Sequence, residues 1–357
     1  MTPLDLDANA TEPLRPEARA AVLRALDLGG NASSVHGGGR AARALVEAAR
    51  ADVARRAGAA PAEVVFTSGG TEANALALHG LGAGRRLLVG ATEHAAVRAA
   101  APAAETIPVR HDGTLDLDAL ADLLADGPPA LVCAMAANNE TGVRHPLDAI
   151  RAICAEHGAL LHVDAVQAAR EEIPRADSLA LSAHKLGGPP GAGALVLAPG
   201  LHLPPLIAGG GQERGRRGGT EALPAIAGFG AAIAAPYDAA RIAALRDAIE
   251  AGLRDIAPEA VIAGQGAPRL PNTSLVILPG APAETQVIAL DLAGVRVSAG
   301  AACSSGKVAR SHVLEAMGIG ELAGCGIRVS LPWNAPEDAP QRFLAAYRAM
   351  AARLRRG

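Results

Sequence analysis

EVVFTSGGTEANALALHGLGAGRRLLVGATEHAAVRAAA, residues 63–101, alternates two patterns. Its opening Val-Val-Phe is a short run of β-branched and aromatic residues, and a glycine-rich turn follows it. TEANALALHGLG then spaces Ala and Leu as a helix does, RLLVGA repeats the first pattern and EHAAVRAAA the second. Strand, helix, strand and helix in this order are βαβ units. Strands joined by crossover helices run parallel and are covered on both faces, so they read as short unbroken apolar runs.

The alternation continues outward. LDALADLLAD and LDAIRAICAEHG read as helices, ALVCAMA and ALLHVDA as strands, and SLALSAH and GALVLAP add strands around Lys185. Upstream, RPEARAAVLRALDLGGN reads as a helix ended by Gly29 or Gly30, and GRAARALVEAARADVARRAG as one ending near Gly58. The pattern changes near residue 238, where a helix over 238–256 leads into NTSLVIL, TQVIALDLAG, VRVSAG and GIRVSLPW, and a last helix covers 337–355. The expected organisation is a large α/β domain over 11–238, with a smaller α+β domain built from 1–10 and 239–357.

Composition narrows the function classes. The 357 residues are 50% apolar but only 2% aromatic, so the core must be built from Ala, Val, Leu and Ile. A net charge of −3 suggests neither a nucleic-acid nor a membrane surface as partner. No apolar run has the length of a membrane span, and MTPLDLDANATEPL has no apolar signal core. Cys133, Cys154, Cys303 and Cys325 form no metal-like spacing, so no metal is expected and a reducing cytoplasm is the simplest home.

Ligands of an open α/β sheet gather beyond the carboxyl ends of its strands. After EVVF comes TSGGTEAN, where Gly70 and Thr71 open a helix and form an anion cradle, although Thr71 serves equally as a cap. After LLVGAT stands His94, which alone reads as well as a cap or surface residue. Asn138 and Asn139 follow the next strand and are equally good turn residues. Asp164 and Gln167 follow ALLHV, and Ser182, His184 and Lys185 follow SLAL. Each has an ordinary structural use. Together they are the parts that pyridoxal 5′-phosphate requires: donors for a phosphate, an imidazole to stack, amides for a phenolic oxygen, a carboxylate for a ring nitrogen and an amine for an aldehyde.

In full, the segments LDANAT, NASSVH, FTSGGTEANALAL, TEHAAV, NNETGV, HVDAVQA, SAHKLGGPPGAGAL, GGGQERGRRGGT, SAGAACSSG and IRVSL run end to end in the order of a known family. The chain resembles the cysteine desulfurases, members of the class V aminotransferase group of fold type I pyridoxal-phosphate enzymes. That resemblance implies a mainly parallel seven-stranded sheet in the large domain. It implies that Gly70, Thr71, Ser182 and His184 hold the phosphate and that His94 stacks on the ring. Asn139 and Gln167 reach the phenolic oxygen, Asp164 holds the ring nitrogen and Lys185 reacts with the aldehyde. Thr220 resembles the residue that reaches the neighbouring subunit's phosphate, which implies a homodimer. One departure stands in SAHKLGGPPG, where Gly187 and Pro190 replace a bulkier residue and a lysine, a change expected to alter pocket polarity or loop stiffness.

The cofactor alone does not name the reaction; Cys303 does. SAGAACSSGKVAR surrounds it with Ala, Gly and Ser, which have little side-chain mass to pack. A buried small hydrophobe is the ordinary fate of such a cysteine. An unperturbed thiol is roughly 3% ionised at neutral pH, already a usable nucleophile. By the resemblance, Lys185 takes the substrate Cα proton, Cys303 takes sulfur from L-cysteine as a persulfide, and L-alanine leaves. His94 is implied as a proton shuttle, and Arg328, with Asn139, as the clamp for the substrate carboxylate, a fork that lysine cannot imitate. A sulfur-acceptor protein, an iron–sulfur scaffold or another carrier, is the implied partner. A selenocysteine lyase or another sulfur lyase is the alternative within enzymes, and a partner-binding subunit without activity the alternative outside them.

Overall fold

The computed structural model describes residues 3–170, 175–300 and 310–354. The chain enters through β1 (Leu4–Asp5), then forms α1 (Pro16–Leu28) and α2 (Gly37–Arg56). Next come β2 (Val64–Thr67), α3 (Gly70–Leu81), β3 (Arg86–Gly90), α4 (Ala95–Ala100), β4 (Glu105–Ile107) and α5 (Leu117–Ala125). They are followed by β5 (Ala130–Met135), α6 (Leu147–Glu156), β6 (Leu160–Asp164), β7 (Ser178–Ser182) and β8 (Gly193–Leu197). These strands make one seven-stranded sheet in the order β2-β8-β7-β6-β5-β3-β4. It is parallel except at β8, which runs antiparallel to both of its neighbours.

The remaining elements are α7 (Leu223–Ala234), α8 (Ala239–Ile256), β9 (Val261–Ile262), β10 (Thr273–Ile277), α9 (Ala283–Leu292), β11 (Val295–Arg296), β12 (Ser298–Ala299), α10 (His312–Ala316), β13 (Gly326–Ser330) and α11 (Ala339–Leu354). An antiparallel sheet runs β12-β13-β10-β9, and β1 pairs in parallel with β11. Leu4 and Leu6 therefore pack in one cluster with the apolar faces of α8 and α11. The large sheet has its own apolar layers, Val64, Val132 and Val163 toward one face and Val65, Leu131 and Leu195 toward the other.

Local chemistry explains the element ends. Pro16 begins α1, where a missing N–H is harmless, and Gly29 ends it at φ 59°. Asp238 caps α8 by accepting from the Arg241 N–H. The segment 209–220 turns through two non-glycine left-handed residues, Glu213 (φ 47°) and Arg214 (φ 58°). Each such residue costs about 1–2 kcal/mol. A buried fork offsets it: Arg50 meets both Glu213 oxygens at 2.7 and 2.8 Å, and the Phe66 N–H donates to the same carboxylate. Among the described residues no helix is long and apolar enough to cross a membrane.

Candidate active site

Gly70, Thr71, His94, Asn139, Asp164, Gln167, Ser182, His184, Lys185 and Arg328 all line one cavity of about 290 Å³. Nine of these ten stand at or after the carboxyl ends of strands of the large sheet, Asp164 and Ser182 being the last residues of β6 and β7, and Arg328 comes from β13. Thr220 lies outside the cavity and is exposed. Cys303 lies outside the described residues, between Gly300 and Arg310.

Gly70 begins α3 where no side chain fits, since an added Cβ would sit 2.5 Å from Val166 Cγ2. Its backbone and the exposed Thr71 present a helix N-terminus to the cavity. His94 caps α4, its Nδ1 accepting from the Ala96 N–H at 3.1 Å, so the neutral ring carries its proton on Nε2. The two adjacent amides separate. Asn138 spends its Oδ1 on the Glu140 and Thr141 N–H groups and its Nδ2 on the Thr92 carbonyl, and is the turn residue. Asn139 is the one that lines the cavity.

Asp164 ends β6 with 6% of its surface exposed. Its Oδ1 accepts from the Val166 N–H at 3.0 Å and its Oδ2 from Asn74 Nδ2 at 2.7 Å. Burial raises its pKa, and those hydrogen bonds, with the charges of His94 and Lys185, act in the other direction. Lys185 ends a short turn after β7. Its Nζ donates to the Asn9 carbonyl at 2.5 Å and the Ala10 carbonyl at 3.0 Å. Its own carbonyl accepts from Arg170, whose guanidinium pairs with the buried Glu12 at 2.5 Å. His184 accepts or donates at 3.1 Å with Thr11, and burial beside Lys185 lowers its pKa to about 4.

Arg328 is buried within β13, with only 2% of it exposed. Its NH2 meets Asp7 Oδ1 at 2.7 Å and its NH1 the Asn139 carbonyl at 3.3 Å, while Nε has no partner among the described residues. A buried unpartnered guanidinium N–H is a costly group that an incoming carboxylate would satisfy. Gly187 and Pro190 do not line the cavity. Gly187 has φ 82°, and a Cβ there would meet Arg15 Cγ at 2.7 Å, so Arg15 occupies the space a side chain would need.

Sequence reading missed four residues of the site. Asn9 joins Asn139, Thr273 and Asn272 by its amide and Lys185 and Gln167 by its carbonyl. Asp7 orients Arg328 from 321 positions away, and nothing local signals either contact. Asn74 stands one helical turn after Gly70, on the face α3 turns to the sheet. Glu93, beside His94, is wholly buried and accepts from the Met135 N–H.

The donor set fits pyridoxal 5′-phosphate: one buried carboxylate, one amine, a cradle of N–H and hydroxyl donors, and an imidazole that lines the cavity. Comparison with known proteins agrees. The profile of the aminotransferase class-V family matches residues 5–342. A cysteine desulfurase of Cereibacter sphaeroides is 44% identical over 91% of this chain and 90% of its own. A solved NifS-like protein of Rickettsia africae superposes with a TM-score of 0.90 at 32% identity, over 98% of this chain and 99% of that one. SspA, solved in complex with cysteine, matches with a TM-score of 0.81 at 27% identity, over 92% and 99%.

Proposed function

The chain belongs to the aminotransferase class-V family and to the cysteine desulfurases within it, and on that premise we propose that it moves sulfur from L-cysteine to Cys303 and releases L-alanine. The observation that carries this reading is the convergence of Lys185, Asp164, His94 and Arg328 on one cavity. Pyridoxal 5′-phosphate, held there, supplies an electron sink joined to an electrophilic carbon. Gly70, Thr71, Ser182 and His184 would hold its phosphate, and Asn139 and Gln167 its phenolic oxygen.

The chain's own groups then have distinct tasks. Asp164 keeps a proton on the ring nitrogen. Lys185 Nζ, freed from the Asn9 and Ala10 carbonyls, takes the proton from the substrate Cα. Arg328 grips the substrate carboxylate, with Asp7 fixing the plane of the fork. His94 Nε2 moves a proton to or from the substrate thiol. Cys303 thiolate attacks the substrate sulfur and an S–S bond forms as the Cβ–S bond breaks. The released electron pair stays on the three-carbon fragment, which takes protons and leaves as alanine. Cysteine and a thiol thus become alanine and a persulfide, with atoms and electrons balanced.

Reach supports the assignment of Cys303. Ser298 is the ladder partner of Arg328, and Cys303 follows Ala299 by four residues. Four residues of chain span at most about 14 Å. A homodimer is part of the same proposal, because Thr220 is exposed and absent from its own cavity. The sulfur acceptor is proposed to be a second protein with a reactive thiol, such as an iron–sulfur scaffold, in a cytoplasmic setting.

Mass measurement of the Cys303 peptide after exposure to L-cysteine tests the reading. The expected result is one added sulfur atom on that peptide with alanine in solution. Alanine without added sulfur, or neither product, contradicts it.

A further inference from the structure

Asp164 must be an anion to keep a ring nitrogen protonated, yet it is buried. His94 and Lys185 line the cavity with it, while Glu93 and Cys133, which also act on it electrostatically, are wholly buried outside the cavity lining. The strand period places His162 and Asp164 on the same face of β6, toward α3. Asn74 of α3 joins them. Its Nδ2 meets Asp164 Oδ2 at 2.7 Å and its Oδ1 meets His162 Nε2 at 2.9 Å. Behind His162, its ladder partner Ser178 meets Nδ1 at 2.8 Å. Every member of this chain is buried, His162 and Ser178 completely.

The same heavy atoms support two opposite proton arrangements. In one, Ser178 Oγ–H donates to His162 Nδ1, His162 Nε2–H donates to Asn74 Oδ1, and Asn74 Nδ2–H donates to an ionised Asp164. In the other, Asn74 is turned over and its oxygen faces Asp164 Oδ2, which then must carry a proton; His162 accepts at Nε2 and donates from Nδ1 to Ser178. Any other pairing of Asn74 orientation with His162 tautomer would leave two acceptors or two donors face to face between these buried groups. Burial lowers the His162 pKa to about 3, so the imidazole is neutral and holds one proton, as both arrangements require.

We propose that Ser178, His162 and Asn74 form a buried relay whose proton polarity holds Asp164 as the anion, making His162 and Asn74 positioning residues for the ring nitrogen. The proposal rests on the functional reading above. It assigns the H-x-D pair of HVDAVQA two tasks, Asp164 lining the cavity and His162, on the same strand face but outside the cavity lining, supporting Asn74.

The experiment loads wild type, Asn74→Leu, His162→Phe and His162→Gln with ring-15N pyridoxal 5′-phosphate, without substrate, and follows the ring-nitrogen resonance against pH. Wild type should hold the ring proton throughout the neutral range. Asn74→Leu should lower the deprotonation midpoint by about one pH unit, a tenfold change in the proton equilibrium, as expected on losing a hydrogen bond to a charged group. His162→Phe should move it the same way. His162→Gln should stay near wild type, because an amide N–H again faces Asn74. A midpoint unmoved in both Asn74→Leu and His162→Phe overturns the proposal, as does an equal loss in His162→Gln and His162→Phe. If variants fail to fold, the imidazole 15N pattern of His162 in the wild type decides: a proton on Nε2 supports the relay, and one on Nδ1 overturns it. A wild type that takes up no cofactor overturns the functional reading and this proposal with it. A loaded wild type beside unmoved variants overturns this proposal alone.

Discussion

Asp164 at the end of β6 and Glu93 in the turn after β3 are carboxyls of one core, exposed by 6% and 0%. Asp164 accepts two hydrogen bonds and has the charges of His94 and Lys185 near it. Glu93 accepts one, from the Met135 N–H, and its Oε2 has no partner among the described residues. Burial drives the Glu93 pKa well up, and the nearby Asp164 charge adds to that push. The two surroundings therefore pull differently. At Asp164 hydrogen bonds and nearby positive groups oppose the upward push of burial, whereas Glu93, a brace between the His94 turn and β5, has only the Met135 N–H against it and is driven much further toward its neutral form. Residue type alone does not make an acid catalytic; the donors aimed at it do.

The contrast is testable at each acid. Asp164→Asn keeps the shape and removes the charge, and should lower kcat by about 10²–10³ with the protein still folded. Steady-state alanine formation beside a thermal melt checks this. An unchanged kcat would mean that the charge at 164 is not used.

Glu93→Ala should act on stability first. It leaves the buried Met135 N–H without its acceptor and opens a small void, an expected loss of about 2–4 kcal/mol in urea unfolding. Glu93→Gln keeps the acceptor and should unfold close to wild type at acid pH. The two should diverge as pH rises. Unfolded Glu93 ionises above its ordinary pKa of 4.5 while the folded group stays protonated, so the unfolded state holds fewer protons and wild-type stability falls with pH. That loss is about 1.4 kcal/mol per pH unit until the raised folded value is reached, and glutamine does not suffer it. Urea midpoints of both proteins at equal cofactor loading should therefore separate in favour of Glu93→Gln from acid to neutral pH. Parallel curves would mean that Glu93 is ionised in the fold.

Much of this was legible in the sequence where the signal is local. Apolar runs announced β2, β3, β5, β6 and β7, and the residues just after them proved to line one cavity. What stayed hidden depends on contacts between distant segments. Asn138 and Asn139 are the same residue type in one turn, and only the fold decides which amide its own backbone consumes. β8 carries no mark of its reversed direction. The helix α7 went unread because LPAIAGFGAAIA is apolar on nearly every side, being wedged against α1 and α2, and so has no amphipathic period. Asp7 and Asn9 reach the site from a segment whose local pattern says nothing of Arg328 or Lys185.

The claim on which the rest depends is that the amine of Lys185 is the group that bonds the cofactor. The chain contains only two lysines, Lys185 and Lys307, so the assignment is unambiguous. Borohydride reduction of the cofactor-loaded protein, followed by peptide mass mapping, reads it directly. The expected result is one reduced cofactor on the peptide that contains Lys185. An unmodified Lys185 peptide, or the added mass on Lys307, would contradict the account.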